Sequence, residues 1–229
     1  RANVPVDFVG EHHDWSGYRV LIAPLQFLMT PEHAAKLRAY VAQGGHLLLS
    51  WRSGVKDATN LCHTEGAVPC LVDDLCGLAL TEYDCLRDVT GVVRWDGTDY
   101  ECQHWCDIVQ LTTAEPLAAY GHDFYAGTPA ITRNAYGQGL TYYAGTTPTP
   151  ELADRLVAQL LADADIAPLM DTPHGVEAVR RVKDGRTYLF LLNHTEQPHA
   201  VSIPDGFCPW NGEWTGEIAP LAVQVFVQA

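Results

Sequence analysis

The stretch Tyr18–Asn60, YRVLIAPLQFLMTPEHAAKLRAYVAQGGHLLLSWRSGVKDATN, constrains this chain's fold more than any other. Tyr18 to Ala23 is a nearly unbroken apolar run that suits a strand buried on both faces. Thr30-Pro31-Glu32 is a helix start: a hydroxyl to accept an early N–H, a ring that presets φ, and a charge that suits the positive helix end. Leu37 and Val41 share one helical face beside Ala34, and Gly44 supplies a left-handed cap. Leu47 to Leu49 resumes a buried strand. Strand, helix and strand in this order predict a βαβ unit with parallel strands and a right-handed crossover.

The second strand ends in Trp51-Arg52-Ser53-Gly54-Val55-Lys56-Asp57. Open α/β sheets meet ligands and partners at the carboxyl ends of their strands. Trp51, Arg52, Lys56 and Asp57 are therefore the candidate substrate-pocket or interface residues. The competing reading is a solvated loop with one internal ion pair.

The 229 residues allow one large domain, or one medium and one small. With 28 acidic and 14 basic residues the net charge is −14, which repels phosphate backbones and anionic membrane surfaces. No nucleic-acid or membrane partner is expected, and no stretch reaches the ~20 apolar residues of a membrane helix. The seven cysteines are odd in number and irregularly spaced, which favours a reduced, cytoplasmic chain over a disulfide scaffold. A chain starting at Arg1 without Met, and without a secretory signal, is expected to be a fragment or a processed product.

Asn3 to Val9 reads as a short strand, and Val68 to Cys76 as one or two helical turns. Thr90 to Trp95 reads as a strand entering a turn at Asp96-Gly97, with Trp105 to Leu111 as its partner, and Leu117 to Tyr120 as another strand. Pro129–Arg133 and Leu140–Ala144 flank Tyr136-Gly137-Gln138-Gly139 as a hairpin. Thr149-Pro150-Glu151 starts a second helix, striped by Leu152, Leu156 and Leu160 and ending near Asp165. Pro168 and Pro173 bracket a linker, which divides the chain into residues 1–168 and 169–229. The second part reads as a small all-β module, with strands at Val176–Val182, Thr187–Leu192, Ala200–Ile203 and Leu221–Val227 and turns at Asp184-Gly185 and Asn211-Gly212.

No catalytic set emerges. Glu65, Asp73, Asp74, Glu82, Glu101 and Glu115 lie in the least regular part of the chain and read as surface acids, not as a paired acid and nucleophile. Ser50-Trp51-Arg52-Ser53-Gly54 lacks the leading Gly of a nucleophile elbow. No glycine-rich phosphate loop follows a strand. Cys102-Gln103-His104-Trp105-Cys106 is the most metal-like cluster, but it lacks the usual paired spacing, and buried thiols also serve as small apolar groups. His12-His13-Asp14 reads as a solvated turn, and Asn193-His194-Thr195 matches a glycosylation pattern only weakly. No metal, cofactor or catalytic residue is assigned.

The Tyr18–Asn60 stretch resembles the non-catalytic domain that follows the barrel in β-galactosidases of glycoside hydrolase family 42. NAYGQGLTYYAGTTPTPELADRLVAQLL looks like the end of that domain, and GVEAVRRVKDGRTYLFLLNHTEQPHAVSIP like the family's small C-terminal β domain. The resemblance is dense in the flanks, thin between Cys62 and Tyr120, and most specific at Arg52-Ser53-Gly54-Val55-Lys56-Asp57. It implies an α/β, flavodoxin-like fold related to class I glutamine amidotransferases: an open parallel sheet flanked by helices, then a small all-β domain. It also implies a homotrimer in the full-length enzyme, with galactoside bound mainly by an upstream barrel that holds the catalytic Glu pair. The amidotransferase Cys nucleophile has no match. Two rival readings are a stand-alone amidotransferase-like hydrolase and a carbohydrate-binding module using Trp210 and Trp214.

Overall fold

The computed structural model describes residues 2–64, 66 and 68–228. It divides into two compact units, residues 10–164 and residues 2–9 with 165–228.

The larger unit runs β1 (Val20–Ala23), α1 (Pro31–Ala42), β2 (His46–Ser50), α2 (Asp73–Cys76), β3 (Leu78–Cys85), β4 (Gly91–Trp95), β5 (Thr98–Leu111), β6 (Glu115–Tyr120), β7 (Pro129–Tyr136), β8 (Gly139–Ala144), β9 (Thr146–Pro148) and α3 (Pro150–Asp163). Its nine-stranded sheet has the order β1-β2-β8-β7-β6-β4-β5-β3, with β9 against β5. The βαβ expectation holds, since β1 pairs parallel with β2, Val20 opposite His46. The Thr30 hydroxyl accepts from the His33 N–H at 3.1 Å and caps α1. At the other end Gly44 takes φ +108°, and the Gly44 and Gly45 N–H groups bond the Val41 and Tyr40 carbonyls at 2.9 and 3.1 Å. Thr30→Ala should lower unfolding free energy by about 1 kcal/mol in urea titration.

The all-parallel sheet is corrected to a mixed one. Among the described strands of this sheet, the parallel ladders are β1–β2 and β2–β8, and the ladders from β8 through β7, β6, β4, β5 and β3 are antiparallel. Tight turns explain this: Asp96-Gly97 and Gly137-Gln138 are too short for a parallel crossover. β1 is an edge strand with Ile22 53 % exposed, not a strand buried on both faces. The long β5 divides its length between β4 and β3, with β9 against its middle. Its Thr98–Cys102 half pairs with β4 and its Trp105–Leu111 half with β3, so the expected Trp105–Leu111 partnership with Thr90–Trp95 is not formed.

The Thr149 hydroxyl does not cap α3; it donates to the Glu101 carbonyl at 3.0 Å, a strand group that outcompetes the helix terminus. Leu152, Leu156 and Leu160 of α3 enter the core with Ile131, Tyr142, Val93 and Trp95.

The smaller unit holds β10 (Val176–Lys183), β11 (Arg186–Asn193), β12 (His199–Ala200), β13 (Phe207–Pro209), β14 (Glu217–Ile218) and β15 (Val223–Gln228). A four-stranded antiparallel sheet, β10-β11-β15-β13, faces a two-stranded ladder of β12 and β14 around Leu189, Leu191, Ile218 and Phe226. Asn3–Val9 is not a strand. Asn3 acts as a clamp, its amide donating to the Met170 carbonyl and Thr172 hydroxyl while its side-chain oxygen accepts from the Ala178 N–H. Asn211-Gly212 does not close a hairpin, because β13 pairs with β15 whereas β14 pairs with β12. Asn193 is buried, and its amide donates to the Gln197 and Ala219 carbonyls at 2.7 and 2.9 Å. That asparagine is a packing hub and offers no amide to a glycan.

Candidate functional site

The loops after β1 and β2 form one surface. The Gly54 N–H bonds the Gln26 carbonyl at 2.9 Å, those of Val55 and Lys56 share the Phe27 carbonyl at 3.1 Å, and the Met29 N–H bonds the Lys56 carbonyl at 2.8 Å. Ser50 ties both loops down: its hydroxyl accepts from the Leu25 N–H at 2.7 Å and its carbonyl from the Ser53 hydroxyl at 2.6 Å. Three residues here that are not glycine, Leu25, Arg52 and Asn60, sit in the left-handed region at φ +53°, +60° and +69°. Strain of this kind persists where surrounding structure enforces it, and it clusters at functional surfaces.

Three of the four predicted residues converge. Trp51 stacks on Trp105 at 5.4 Å, and Trp105 stacks on Tyr83 at 4.5 Å, giving a continuous run of three rings. The Arg52 guanidinium lies 4.9 Å from the Trp105 ring and 5.0 Å from that of Phe27, and the Lys56 ammonium 5.5 Å from Phe27. Asp57 turns into its own loop, where its carboxylate accepts from the Thr59 N–H, the Thr59 hydroxyl and the Leu61 N–H. The Thr59 hydroxyl and then the Leu61 N–H hold its pKa below the usual carboxylate value. The internal ion pair of the solvated-loop reading is absent: among the described residues neither Arg52 nor Lys56 has a salt-bridge partner.

Asp107 lies beneath this surface and went unremarked in the sequence. It is buried, and its carboxylate accepts from the Trp105 indole at 2.7 Å and the Tyr143 hydroxyl at 2.6 Å. Burial raises its pKa, opposed by those two donors and by the Arg52 N–H and charge. A carboxylate thus fixes the central ring of the stack. An acid inside the apolar run WCDIVQL was the available signal. Phe27 and Tyr83 left no comparable mark.

The other clusters resolve differently. Cys102 and Cys106 point into the core, with the Cys106 sulfur 3.8 Å from the Thr146 hydroxyl, whereas His104 is exposed at φ +63°. Among the described residues no group of three or more His, Cys, Asp or Glu is arranged to hold a metal. Asp74 pairs with Arg38 and Glu115 with Arg133; Glu65 lies outside the described residues. In the His12-His13-Asp14 turn, His13 accepts from the Gly10 N–H and Asp14 from Ser16. Trp214 packs edge-on against core Phe226 and Trp210 against Tyr188, so the two do not form a shared flat platform. No described helix is long and apolar enough to cross a membrane.

Residues 1–167 match the family model of the β-galactosidase trimerisation domain, and residues 175–207 that of the β-galactosidase C-terminal domain. The chain belongs to glycoside hydrolase family 42. Among β-galactosidases of this family, BgaB of Geobacillus sp. (strain Y412MC61) is 36 % identical over 207 residues, covering 90 % of this chain and 30 % of the relative. BgaP of Planococcus sp. (strain L4) is 34 % identical over 212 residues, covering 90 % and 31 %. The chain thus spans about a third of the length of the curated family 42 relatives it matches. The crystal structure of the β-galactosidase from Bacillus circulans sp. alkalophilus superposes with a TM-score of 0.91 at 31 % identity, over 100 % of this chain and 35 % of that one.

Proposed function

We propose that this chain is the trimerisation and C-terminal portion of a β-galactosidase that hydrolyses terminal non-reducing β-D-galactosides with retention. The match to the trimerisation-domain model over residues 1–167 carries this reading. Galactoside would be bound mainly by a catalytic barrel outside this chain, where two Glu carboxyls about 5 Å apart act as acid/base and nucleophile. In sequence we divide the chain into a trimerisation domain, 1–168, and a C-terminal β domain, 169–229. Parallel β1-β2-β8 with the α1 crossover supports a flavodoxin-like origin for the first, its sheet extended by antiparallel strands. Seven free cysteines fit a cytoplasmic enzyme. Trp51, Arg52 and Lys56 are the partner-facing or pocket-closing residues; Asp57 shapes their loop.

The 229-residue chain, incubated with a chromogenic β-galactoside, is expected to show no turnover above buffer. Sustained turnover that survives repurification would refute the accessory role and favour a self-contained hydrolase.

A further inference from the structure

We propose that Cys102 and Cys106 are a dithiol that hydrogen peroxide converts, reversibly, to a disulfide across the bulge of β5.

The register brings the pair together. On β9, Cys102 faces Pro148 and Cys106 faces Thr146. Four steps of β5 are thus compressed into two steps of β9. Four regular strand steps would separate the two Cα atoms by roughly 13 Å, beyond any disulfide; two steps amount to roughly 6.5 Å. That lies inside the range of about 4.4–6.8 Å that the bond spans. Both side chains are wholly buried in one core cluster, so they leave the strand on the same side.

The sulfurs meet there. The Cys106 sulfur lies 3.8 Å from the Thr146 hydroxyl, and the Cys102 thiol reaches the same hydroxyl and the Cys106 sulfur. Gly91, opposite Cys102 on β4, leaves its sulfur room: a Cβ there would stand 2.7 Å from it. The two thiols are chemically unequal. The hydrogen bond from Cys102 favours the Cys106 thiolate and lowers its pKa, aided by the Tyr125, Thr146 and Tyr120 hydroxyls against burial. The same bond and burial keep Cys102 protonated.

The roles follow. The Cys106 thiolate attacks one peroxide oxygen, the O–O bond breaks, and hydroxide leaves, giving a sulfenic acid. The Cys102 sulfur then attacks the Cys106 sulfur. An S–S bond forms, the S–O bond breaks, and the Cys102 proton leaves with that hydroxide as water. Two thiols lose two electrons and two protons, and one peroxide becomes two waters. The bridge closes a loop through Gln103, His104 and Trp105, fastening the ring that stacks on Trp51 and Tyr83.

The test caps the exposed Cys62, Cys85 and Cys208 of the folded chain with iodoacetamide, then adds hydrogen peroxide. The chain is next unfolded in urea, labelled with N-ethylmaleimide and digested with trypsin. Peptide Trp95–Arg133 contains Cys102 and Cys106 and no other cysteine. We expect it to lose both maleimide labels and to be lighter than the dithiol peptide by two hydrogen atoms, with dithiothreitol restoring both labels. In Cys102→Ala, checked for folding by a thermal melt, Cys106 should stop at the sulfenic acid and be captured by dimedone. Two labels retained after peroxide would overturn the proposal, as would a sulfinic acid at Cys106 beside a free Cys102. Dimedone capture as complete in wild type as in the variant would also overturn it.

Discussion

Replacing Asp107 by Ala is expected to lower the unfolding free energy by about 4 kcal/mol, measured by urea titration with Trp fluorescence. The substitution leaves the Trp105 indole N–H and the buried Tyr143 hydroxyl facing an apolar void, and it removes the acid that the Arg52 N–H faces. The stack of Trp51, Trp105 and Tyr83 should loosen with it, shifting emission to longer wavelength. The same residue sets a pH signature. Its folded-state pKa is raised by burial, so the folded chain holds this proton more tightly than the unfolded one. Stability from Asp107 is therefore greatest below the ordinary carboxylate value of about 4 and declines as pH climbs through the raised value. Asp107→Asn should flatten that decline. Asp74 works in the opposite sense. The Arg38 hydrogen bond lowers its pKa, so its contribution is in place above the ordinary value and disappears as pH falls through the lowered one.

Gly139→Ala should destabilise by about 3 kcal/mol, far beyond the few tenths usual at a turn surface. A Cβ there would sit 2.2 Å from the Gly45 carbonyl oxygen and 2.3 Å from that of Val41. Both oxygens belong to backbone at the α1 terminus, so no side-chain rotation relieves the clash. The β7–β8 turn would have to withdraw from the helix, which breaks the Gln138 N–H bond to the Ala42 carbonyl at 3.1 Å. Gly127→Ala is the comparison: nothing lies within 4 Å of its Cβ, although its φ of +86° retains a smaller backbone penalty. Urea midpoints of the two variants measure the difference.

The parts legible in the sequence were those fixed by local chemistry. Thr30, Pro31 and Gly44 announce where α1 starts and stops, and the apolar runs on either side form the parallel pair. Asp96-Gly97 and Tyr136-Gly137-Gln138-Gly139 give their hairpins for the same reason. The illegible parts depend on distant pairing. Asn3–Val9 has the alternation of a strand, yet no neighbouring ladder receives it. The split use of β5 needs a bulge between Gln103 and Cys106, where His104 adopts positive φ, and no turn residue advertises it. That bulge also explains the candidate site: Trp105 reaches the surface stack while Cys102 and Cys106 stay buried, so a pattern resembling a metal cluster presents an aromatic platform. Trp51, Arg52 and Lys56 were accessible because they follow a recognisable strand end; Phe27, Tyr83 and Asp107 reach the same place through tertiary contacts alone.

The most direct test of the proposed partner-facing role of Trp51, Arg52 and Lys56 is hydrogen exchange followed across a concentration series of the intact chain. Peptides spanning residues 24–28 and 51–62 should gain protection as the chain associates, while peptides from the β4–β5 turn at Asp96-Gly97 should not change. Association that leaves those two loops exchanging as fast as in the dilute chain would contradict the account.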